Sequence, residues 1–478
     1  MPKSLPRSTP VDQGVDPAGI LAFLDALAAR PDIEMHSLML VRHGHVVAEG
    51  WWHPYSADRP HRLYSLSKSF TSTAASFAAA EGLLDLDDTI LSHFPEFEAE
   101  ITDPGSRSMR IRDVAAMASG HEEETIGQTL ALDSHEPVRG FLLLPPDRPP
   151  GTVFAYNQPC TYTLGSIVQR EAGMSLSSYL RPRLFDPLGI GQVGWQAFPN
   201  GREQGYTGLH ARTEDIAKLG QLYLQRGQWD GAQLISEEWI AQATSKQVDN
   251  SMRANPDWQQ GYGFQFWMSR HGYRGDGAFG QFCVILPEQN TVMVTTAATL
   301  DMQVMLDAMW AHLLPALRES APDVGAQEQL SARLLGLELP AYRADEGPSD
   351  WTPWLGYPFQ VAPWQGEPQA QPLLTSIQLD RKDGELQVTL HEPDNALTLA
   401  VRTRGWNVSV PGDRFGKGIP VAAAGGWSDP KTLRLEVIFL ETPHRMDIVC
   451  SLEDRRANVA WRLPPLGAAE LKNLRNPI

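Results

Sequence analysis

The chain has 478 residues, with 40 Lys and Arg against 57 Asp and Glu, which gives a formal net charge of −17. With 42% hydrophobic residues the chain can bury a sizeable core, which excludes a wholly disordered or collagen-like protein. The acidic balance argues against a nucleic-acid partner and against binding to anionic lipid, because both require a basic face.

Membrane and secretion signals are not evident in the sequence. No stretch approaches the roughly 18 consecutive apolar residues of a membrane span, and residues 1–19 lack the apolar run of a secretory signal. The three cysteines, Cys160, Cys283 and Cys450, fit neither a disulfide framework nor a zinc pattern, so we expect buried small side chains. We therefore predict a cytoplasmic protein with no membrane partner.

The first half of the chain reads as a helix, a hairpin and a long helical region. Apolar spacing predicts a helix over Pro17–Ala29, and residues 37–52 form two β-rich runs about a His-Gly turn. A helix from Ser65 to about Ala80, free of Pro and Gly, is expected to end at Gly82. Residues 83–255 are mostly helical segments separated by Pro/Gly loops.

Strand patterns return after residue 260. Residues 261–269 and the hairpin 281–296 are predicted strands, and residues 301–317 are a predicted amphipathic helix. In the first of these strands Tyr262, Phe264 and Phe266 are expected on the core face, with Trp267 on the other. This order predicts an α+β fold in which one antiparallel sheet, built from both ends of the region, is flanked by helices and an all-helical lobe.

A second domain follows a change in composition. The Pro/Gly/acidic stretch around residues 340–353 reads as a linker, and beyond it lie short alternating runs typical of an antiparallel barrel or sandwich. We predict a first domain over residues 1–335, a linker over 336–353, and a β-barrel-like domain over 354–478.

The residues with the clearest chemistry are Ser65 and Lys68, in the run Ser65-Leu66-Ser67-Lys68. Residues three apart share a helix face, and a lysine deprived of water has a lowered pKa and can take the proton of a nearby hydroxyl. Ser428 and Lys431 have the same spacing, but their run contains Pro430 and is predicted to form a turn in the β-domain. The spacing alone is therefore weak evidence for a catalytic serine and lysine.

Three segments in order strengthen the first match. Residues 64–90, YSLSKSFTSTAASFAAAEGLLDLDDTI, are followed by Ile111-Arg112-Asp113 with Met117–Gly120, and then by PGTVFAYNQPCTYTLG at 150–165. Over about residues 10–320 the chain resembles the class C β-lactamase and penicillin-recognising serine hydrolase family. The resemblance implies that Ser65 is acylated, that Lys68 is its base or base partner, and that Tyr156 relays protons to the leaving group.

The family's second motif is only partly matched. Its Tyr-x-Asn pattern has Gln158 at the third position, and Asn157 lies one position early. An amide is still available, so both Gln158 and Asn157 are candidates for contact with substrate.

The family's Lys-Thr/Ser-Gly motif is missing, and residues 275–287, GDGAFGQFCVILP, occupy its expected place. By resemblance to family members without that lysine, the N–H groups of Ala278 and Ser65 would form the oxyanion hole, with Phe279 alongside. The missing cation would pair with a substrate carboxylate. Arg270 and Arg274 are nearby substitutes, but both are expected on the surface, so the balance favours neutral esters or amides.

Two other patterns are rejected. Residues 275–280 spell GxGxxG, but a dinucleotide fingerprint needs a strand before it and a helix after it, and here a strand follows. His121 with Glu122–Glu124 lacks a second histidine at ligand spacing and reads as a solvated loop. We predict no metal and no organic cofactor.

The sequence thus predicts a serine hydrolase that cleaves small ester or amide bonds through an acyl-enzyme on Ser65. A D-amino-acid peptidase or a weak class C-type β-lactamase remains the alternative, and a non-catalytic penicillin-binding-like protein is a more remote one. The predicted partner is a small-molecule substrate. A homo-oligomer is left open.

Overall fold

The computed structural model describes residues 4–317, 324–343, 348, 350–367, 371–467 and 469–478. The described residues divide into two compact units, the first within 1–50, 62–335 and 478, and the second within 51–61 and 336–477. Residues 344–347 and 349 of the predicted linker lie outside the described residues, and the division at 335 and 354 stays a prediction.

The first unit is organised around an antiparallel sheet of six strands. Its strands and those of the smaller sheets are β1 (Glu34–Arg42), β2 (His45–Trp51), β3 (His61–Arg62), β4 (Gly194–Trp195), β5 (Leu209–Ala211), β6 (Gln228–Trp229), β7 (Ala232–Gln233), β8 (Trp267–Met268), β9 (Tyr273–Gly277), β10 (Gln281–Leu286) and β11 (Thr291–Ala298). The large sheet has the order β2-β1-β11-β10-β9-β8, so its centre joins the first strands of the unit to the last. The hairpin β1–β2 turns at His43 and Gly44, both with positive φ, as the His-Gly pair predicted.

Helices cover both faces of this sheet and form a separate lobe. They are α1 (Pro17–Ala28), α2 (Ser67–Ala80), α3 (Pro104–Ser108), α4 (Ile111–Ala115), α5 (Ile126–Leu132), α6 (Pro137–Leu142), α7 (Gln158–Ala172), α8 (Leu176–Leu180), α9 (Thr213–Leu224), α10 (Glu237–Ala243), α11 (Met302–Ala308), α12 (Leu314–Ala316) and α13 (Val324–Leu335). On one face Gly220 of α9 lies against Cys283 and Val292, where an added Cβ would meet side-chain atoms at 2.8 and 2.6 Å. Val284 and Met293, which alternate with them, face the π-helical segment Met309–Leu313.

The predicted strand over 261–269 is wrong in extent. Only Trp267–Met268 is a strand, because Gln265 adopts a positive φ of 64° and interrupts the extended backbone. The Gln265 side chain is buried and donates to the carbonyl oxygens of Val114 and Ala115. Tyr262, Phe264 and Phe266 are buried, as expected for core residues, and Trp267 is buried as well.

The second unit is a nearly closed sheet of nine strands around one apolar core. The strands are β12 (Phe359–Val361), β13 (Ser376–Lys382), β14 (Glu385–His391), β15 (Ala396–Val401), β16 (Asn407–Ser409), β17 (Val421–Asp429), β18 (Thr432–Phe439), β19 (Arg445–Ser451) and β20 (Arg456–Trp461). Their order is β15-β14-β13-β12-β20-β19-β18-β17-β16, and a bridge links Arg402, directly after β15, to Ala424 of β17, the strand next to β16. One pair, β12 with β20, is parallel, which corrects the fully antiparallel expectation. Ser428 and Lys431 lie at the β17–β18 turn, as predicted.

The predicted α+β class is confirmed, with a sheet and helical lobe in the first unit and a barrel-like sheet in the second. Within the described residues, no helix combines the length and the apolar character that crossing a bilayer requires.

Candidate active site

Helix α2 positions the candidate nucleophile, and it is buried along nearly its whole length. Its small hydroxyl side chains bond to backbone oxygens of the surrounding segments: Thr71 Oγ1 donates to Gly205 O at 2.8 Å and Ser69 Oγ to Gln265 O at 3.1 Å. Ser65 itself lies in the 3₁₀ turn Tyr64–Leu66 that leads into α2, two residues before the first residue of the helix that the sequence predicted to include it. The hydrogen bonds along α2 fix the position of this turn, and Ser65 stays partly exposed.

The Lys68 ammonium nitrogen is surrounded by oxygen atoms of three residues. Nζ lies 3.1 Å from Ser65 Oγ, 2.6 Å from Gln158 Oε1 and 2.9 Å from the carbonyl oxygen of Tyr206. The side chain is 1% exposed. Lys68 is thus held within hydrogen-bonding distance of the Ser65 hydroxyl, one helical turn away, as the spacing predicted.

The buried position of Lys68 changes its acidity. Desolvation lowers its pKa from 10.5 to about 7, and the negative charges of Glu124 and Asp276 only partly oppose this effect. An amine with a pKa near 7 is substantially unprotonated at neutral pH, which is the state that can accept a proton.

Tyr156 lies beneath Lys68 and beside Ser65. Lys68 Nζ is 4.8 Å from the centroid of the Tyr156 ring, and the ring stacks on Trp267 at 5.0 Å. Burial raises the pKa of the Tyr156 phenol well above its usual value, with the Asp276 charge adding to the effect and the Ser65 side chain opposing it. Tyr156 is therefore a neutral phenol next to the serine, able to donate its proton but not held as a phenolate.

The two amides of the second motif have different surroundings. Gln158, the first residue of α7, accepts from Lys68 as described above, while Asn157 is fully buried. Asn157 Oδ1 accepts from both the amide and the hydroxyl of Thr125, at 2.9 and 3.0 Å. The structure therefore brings Gln158 to Lys68 and leaves the Asn157 oxygen engaged with the loop before α5.

Strand β9 lies against the Ser65 turn because two of its residues have no side chain. A Cβ on Gly277 would lie 2.0 Å from Leu63 O, and one on Gly275 would lie 2.5 Å from Ser69 Oγ. This approach brings Ala278, the next residue, and Phe279 beside the turn, with the Phe279 ring edge-on to Tyr64 at 5.2 Å. The first two glycines of the rejected GxGxxG pattern thus allow strand β9 to lie close to the Ser65 turn, and no helix follows the pattern.

Gln281 holds the turn that carries Ala278. Its buried amide nitrogen donates to the carbonyl oxygens of Ala278 and Ala297, each at 2.9 Å, and its Oε1 accepts from the Ala297 amide. Nothing in the sequence pattern distinguished Gln281 from an ordinary strand residue.

Arg274 is fully buried, so its expected surface position is wrong. Its Nε donates to Asp276 Oδ2 at 3.0 Å, its Nη1 to the carbonyl oxygen of Asp257 at 2.8 Å, and its guanidinium lies 4.3 Å from the Trp258 ring centroid. Arg270 is exposed, as predicted, and pairs with Asp257 at 2.7 Å. Both arginines are therefore paired with carboxylates, and Arg274 Nη2 has no hydrogen-bond partner among the described residues.

The run of His121 with Glu122–Glu124, which was expected to be a solvated loop, is only partly exposed. Glu122–Glu124 are exposed, but His121 is buried, with Nδ1 3.0 Å from Ser119 Oγ and Nε2 donating to the carbonyl oxygen of Leu144. Burial lowers the pKa of His121, so the ring is neutral. Among the described residues, no group of His, Cys, Asp and Glu has a metal-binding arrangement.

A cavity of about 660 Å³ opens beside Tyr156. It is lined by the acidic run 122–124, by residues 152–156, and by Asp249, Asn250, Met252 and Arg253 of the loop after α10. A cavity of this size can hold a small organic molecule next to Tyr156.

Comparison with known proteins assigns the chain to a family. A model of the Beta-lactamase family matches residues 22–318, more than half of the chain. The chain belongs to the Beta-lactamase family, as the resemblance predicted.

Three known proteins are similar to this chain. The chain is 24% identical to 6-aminohexanoate-dimer hydrolase of Paenarthrobacter ureafaciens over 58% of this chain and 78% of that protein. It is 27% identical to lovastatin esterase of Penicillium rubens over 34% of this chain and 45% of that protein. The solved structure of EstCE1, described as a hydrolase with promiscuous acyltransferase activity, superposes with a TM-score of 0.52 at 15% identity, covering 63% of this chain and 99% of that one, and shows the shared fold.

Proposed function

We propose that this protein is a serine hydrolase that cleaves small ester or amide bonds through an acyl-enzyme on Ser65. The observation that carries the proposal is the position of a desolvated Lys68 amine 3.1 Å from the Ser65 hydroxyl. The relatives named as a dimer hydrolase and an esterase support hydrolysis of amide or ester bonds.

The partners of Lys68 orient its lone pair. A neutral amine has two N–H groups and one lone pair, and carbonyl oxygens can only accept hydrogen bonds. Gln158 Oε1 and the Tyr206 carbonyl oxygen therefore take the two N–H groups, which directs the lone pair towards Ser65. In this arrangement the Ser65 hydroxyl donates to Lys68.

The acylation step follows from this geometry. Ser65 Oγ forms a bond to the substrate carbonyl carbon while its proton passes to Lys68 Nζ, and the carbonyl π electrons move to the oxygen. The N–H groups of Ser65 and Ala278 are assigned to stabilise that oxyanion. When the tetrahedral species collapses, the bond to the leaving group breaks and the leaving group takes a proton from Lys68 or through the Tyr156 hydroxyl.

Deacylation repeats the sequence with water. Water gives its proton to the neutral Lys68, its oxygen bonds to the acyl carbon, and the ester bond to Ser65 breaks as the proton returns to Oγ. The products are a carboxylic acid and the alcohol or amine released in the first half. Phe279 lies beside the proposed oxyanion position, and Gln158 is assigned to contact both Lys68 and the bound substrate.

The test compares Ser65→Ala with a matched serine in the same chain. Ser428→Ala and Lys431→Met change the second Ser-x-x-Lys run, at a hairpin turn, and should leave activity intact. Ser65→Ala should abolish turnover of p-nitrophenyl esters and labelling by a fluorophosphonate probe, while circular dichroism stays unchanged. Hydrolysis by Ser65→Ala at the rate of the unmodified protein would refute the proposal.

The alternatives are separated by a substrate panel. Faster turnover of nitrocefin than of short-chain esters would favour a β-lactamase, and faster turnover of D-aminoacyl amides would favour a D-amino-acid peptidase. Absence of turnover and of probe labelling would favour the non-catalytic reading.

A further inference from the structure

Charged side chains lie around the proposed site. In the segment that occupies the place of the Lys-Thr/Ser-Gly motif, Gly275-Asp276-Gly277, this chain has no cation, and its one charged residue is Asp276, which is 6% exposed. The neighbouring cation, Arg274, donates to Asp276, to the Asp257 carbonyl oxygen and to Ser269 Oγ. A substrate carboxylate would therefore meet the buried Asp276 carboxylate, and the Arg274 guanidinium beside it is already engaged through Nε and Nη1, with Nη2 unpartnered among the described residues.

The cavity beside Tyr156 has the same sign of charge. Glu122, Glu123, Glu124 and Asp249 line it, and among the described lining residues Arg253 is the one cation. Glu122 pairs with Arg148 at 2.8 Å and Asp249 with Lys246 at the protein surface, which reduces their effect. No lysine or arginine side chain of the described residues forms an ion pair with Glu123 or Glu124.

Glu124 connects this wall to the reactive residues. Its carboxylate accepts from the backbone amides of Ile126 and Gln158, at 2.9 and 3.2 Å. It is also the largest source of negative potential at Lys68. The wall of the cavity and the catalytic group thus share one electrostatic environment.

A polar group without a partner lies in the same wall. The Asn250 side chain is 3% exposed, its Oδ1 accepts from the Gly261 amide at 2.6 Å, and its Nδ2 has no hydrogen-bond partner among the described residues. A buried amide N–H without an acceptor is costly, and a carbonyl oxygen of a bound molecule would satisfy it.

From these observations we infer that the cavity selects substrates that carry an ammonium group as well as a carbonyl oxygen, so that the preferred esters or amides are cationic. This inference rests on the proposed function and specifies its substrate class. The ammonium group lies near Glu123 and Glu124, the carbonyl oxygen accepts from Asn250, and the scissile carbonyl reaches Ser65. Carboxylate-bearing substrates are disfavoured by the same charges.

The test uses three p-nitrophenyl esters of equal chain length: butyrate, its ω-ammonium analogue and its ω-carboxylate analogue. At low ionic strength kcat/KM should rank ammonium above neutral above carboxylate, with about fivefold or more between the first two, which is about 1 kcal/mol of Coulomb energy. At about 1 M salt, where the Debye length is near 3 Å, the values should converge.

Single substitutions distinguish the effect of the charges that line the cavity from the effect of the net charge of the protein on substrate preference. Glu123→Gln should lower the ammonium-to-neutral ratio of kcat/KM, and Arg253→Gln should raise this ratio. Glu288→Gln, which removes the same charge at the exposed β10–β11 turn, should change nothing. Equal kcat/KM for the ammonium and carboxylate esters at low salt would overturn the inference, and so would equal effects of Glu123→Gln and Glu288→Gln. In either case, butyrate hydrolysis that depends on Ser65 would still support the proposed function. If the unmodified protein hydrolyses none of the three esters and the fluorophosphonate probe does not label it, both the inference and the proposed function are overturned.

Discussion

The protonation state of Lys68 predicts a specific pH dependence. The amine acts as a base only when neutral, and desolvation brings its pKa to about 7. With that pKa the neutral fraction is about 0.9 at pH 8, about 0.1 at pH 6 and about 0.01 at pH 5. We expect kcat/KM for a neutral ester to fall about tenfold between pH 8 and pH 6, and about 90-fold between pH 8 and pH 5.

The assay measures kcat/KM for p-nitrophenyl butyrate from pH 5 to pH 9, read at the isosbestic wavelength of p-nitrophenol so that ionisation of the product does not enter. Samples returned from pH 5 to pH 8 control for irreversible inactivation. Asp276→Asn removes a charge that raises the pKa of Lys68, so its midpoint should move to lower pH. Lys68→Arg keeps the cation at every pH and should be inactive throughout.

A profile that stays flat from pH 8 to pH 5 would refute the role of Lys68 as the base. A midpoint near 10, the ordinary value of a lysine, would refute the argument from desolvation. A midpoint that moves upward in Asp276→Asn would refute the stated contribution of the Asp276 charge.

Three further predictions concern stability and proton transfer. Gly277→Ala places a Cβ 2.0 Å from Leu63 O and should lower the thermal midpoint strongly, whereas Gly127→Ala, with no atom within 4 Å, should be neutral or slightly stabilising in calorimetry. Lys68 is protonated in the unfolded chain up to pH 10.5 but in the folded chain only below about 7, so its burial costs stability most fully below pH 7 and progressively less as pH rises to 10.5. Relative to Lys68→Met, the unmodified protein should gain about 2 kcal/mol between pH 7 and pH 9 in urea unfolding; a pH-independent difference would contradict this linkage. Tyr156→Phe should lower kcat by about 10²-fold or more with a poor leaving group and less with p-nitrophenolate, and equal losses would argue against proton transfer to the leaving group.

Local patterns in the sequence were sufficient for the elements that depend on neighbouring residues. The His-Gly turn predicted the first hairpin because a two-residue turn requires positive φ at residues that tolerate it, and His43 and Gly44 provide it. Spacing of three predicted that Lys68 would face Ser65, and the order of three motifs predicted the family. The same reasoning failed at Gln265, whose positive φ is stabilised by bonds to carbonyl oxygens about 150 residues away in the chain.

What the sequence determined by itself is the family and the class of fold, together with a set of candidate reactive groups, since helix periodicity and strand alternation are local properties. Only the tertiary structure decided how those groups are tuned. The pKa of Lys68 depends on burial and on the charges of Glu124 and Asp276, which come from distant segments. The burial of Arg274, the support of Ala278 by Gln281 and the acidic wall of the cavity likewise arise from contacts between remote residues, because electrostatic and desolvation energies depend on distance in space and not along the chain.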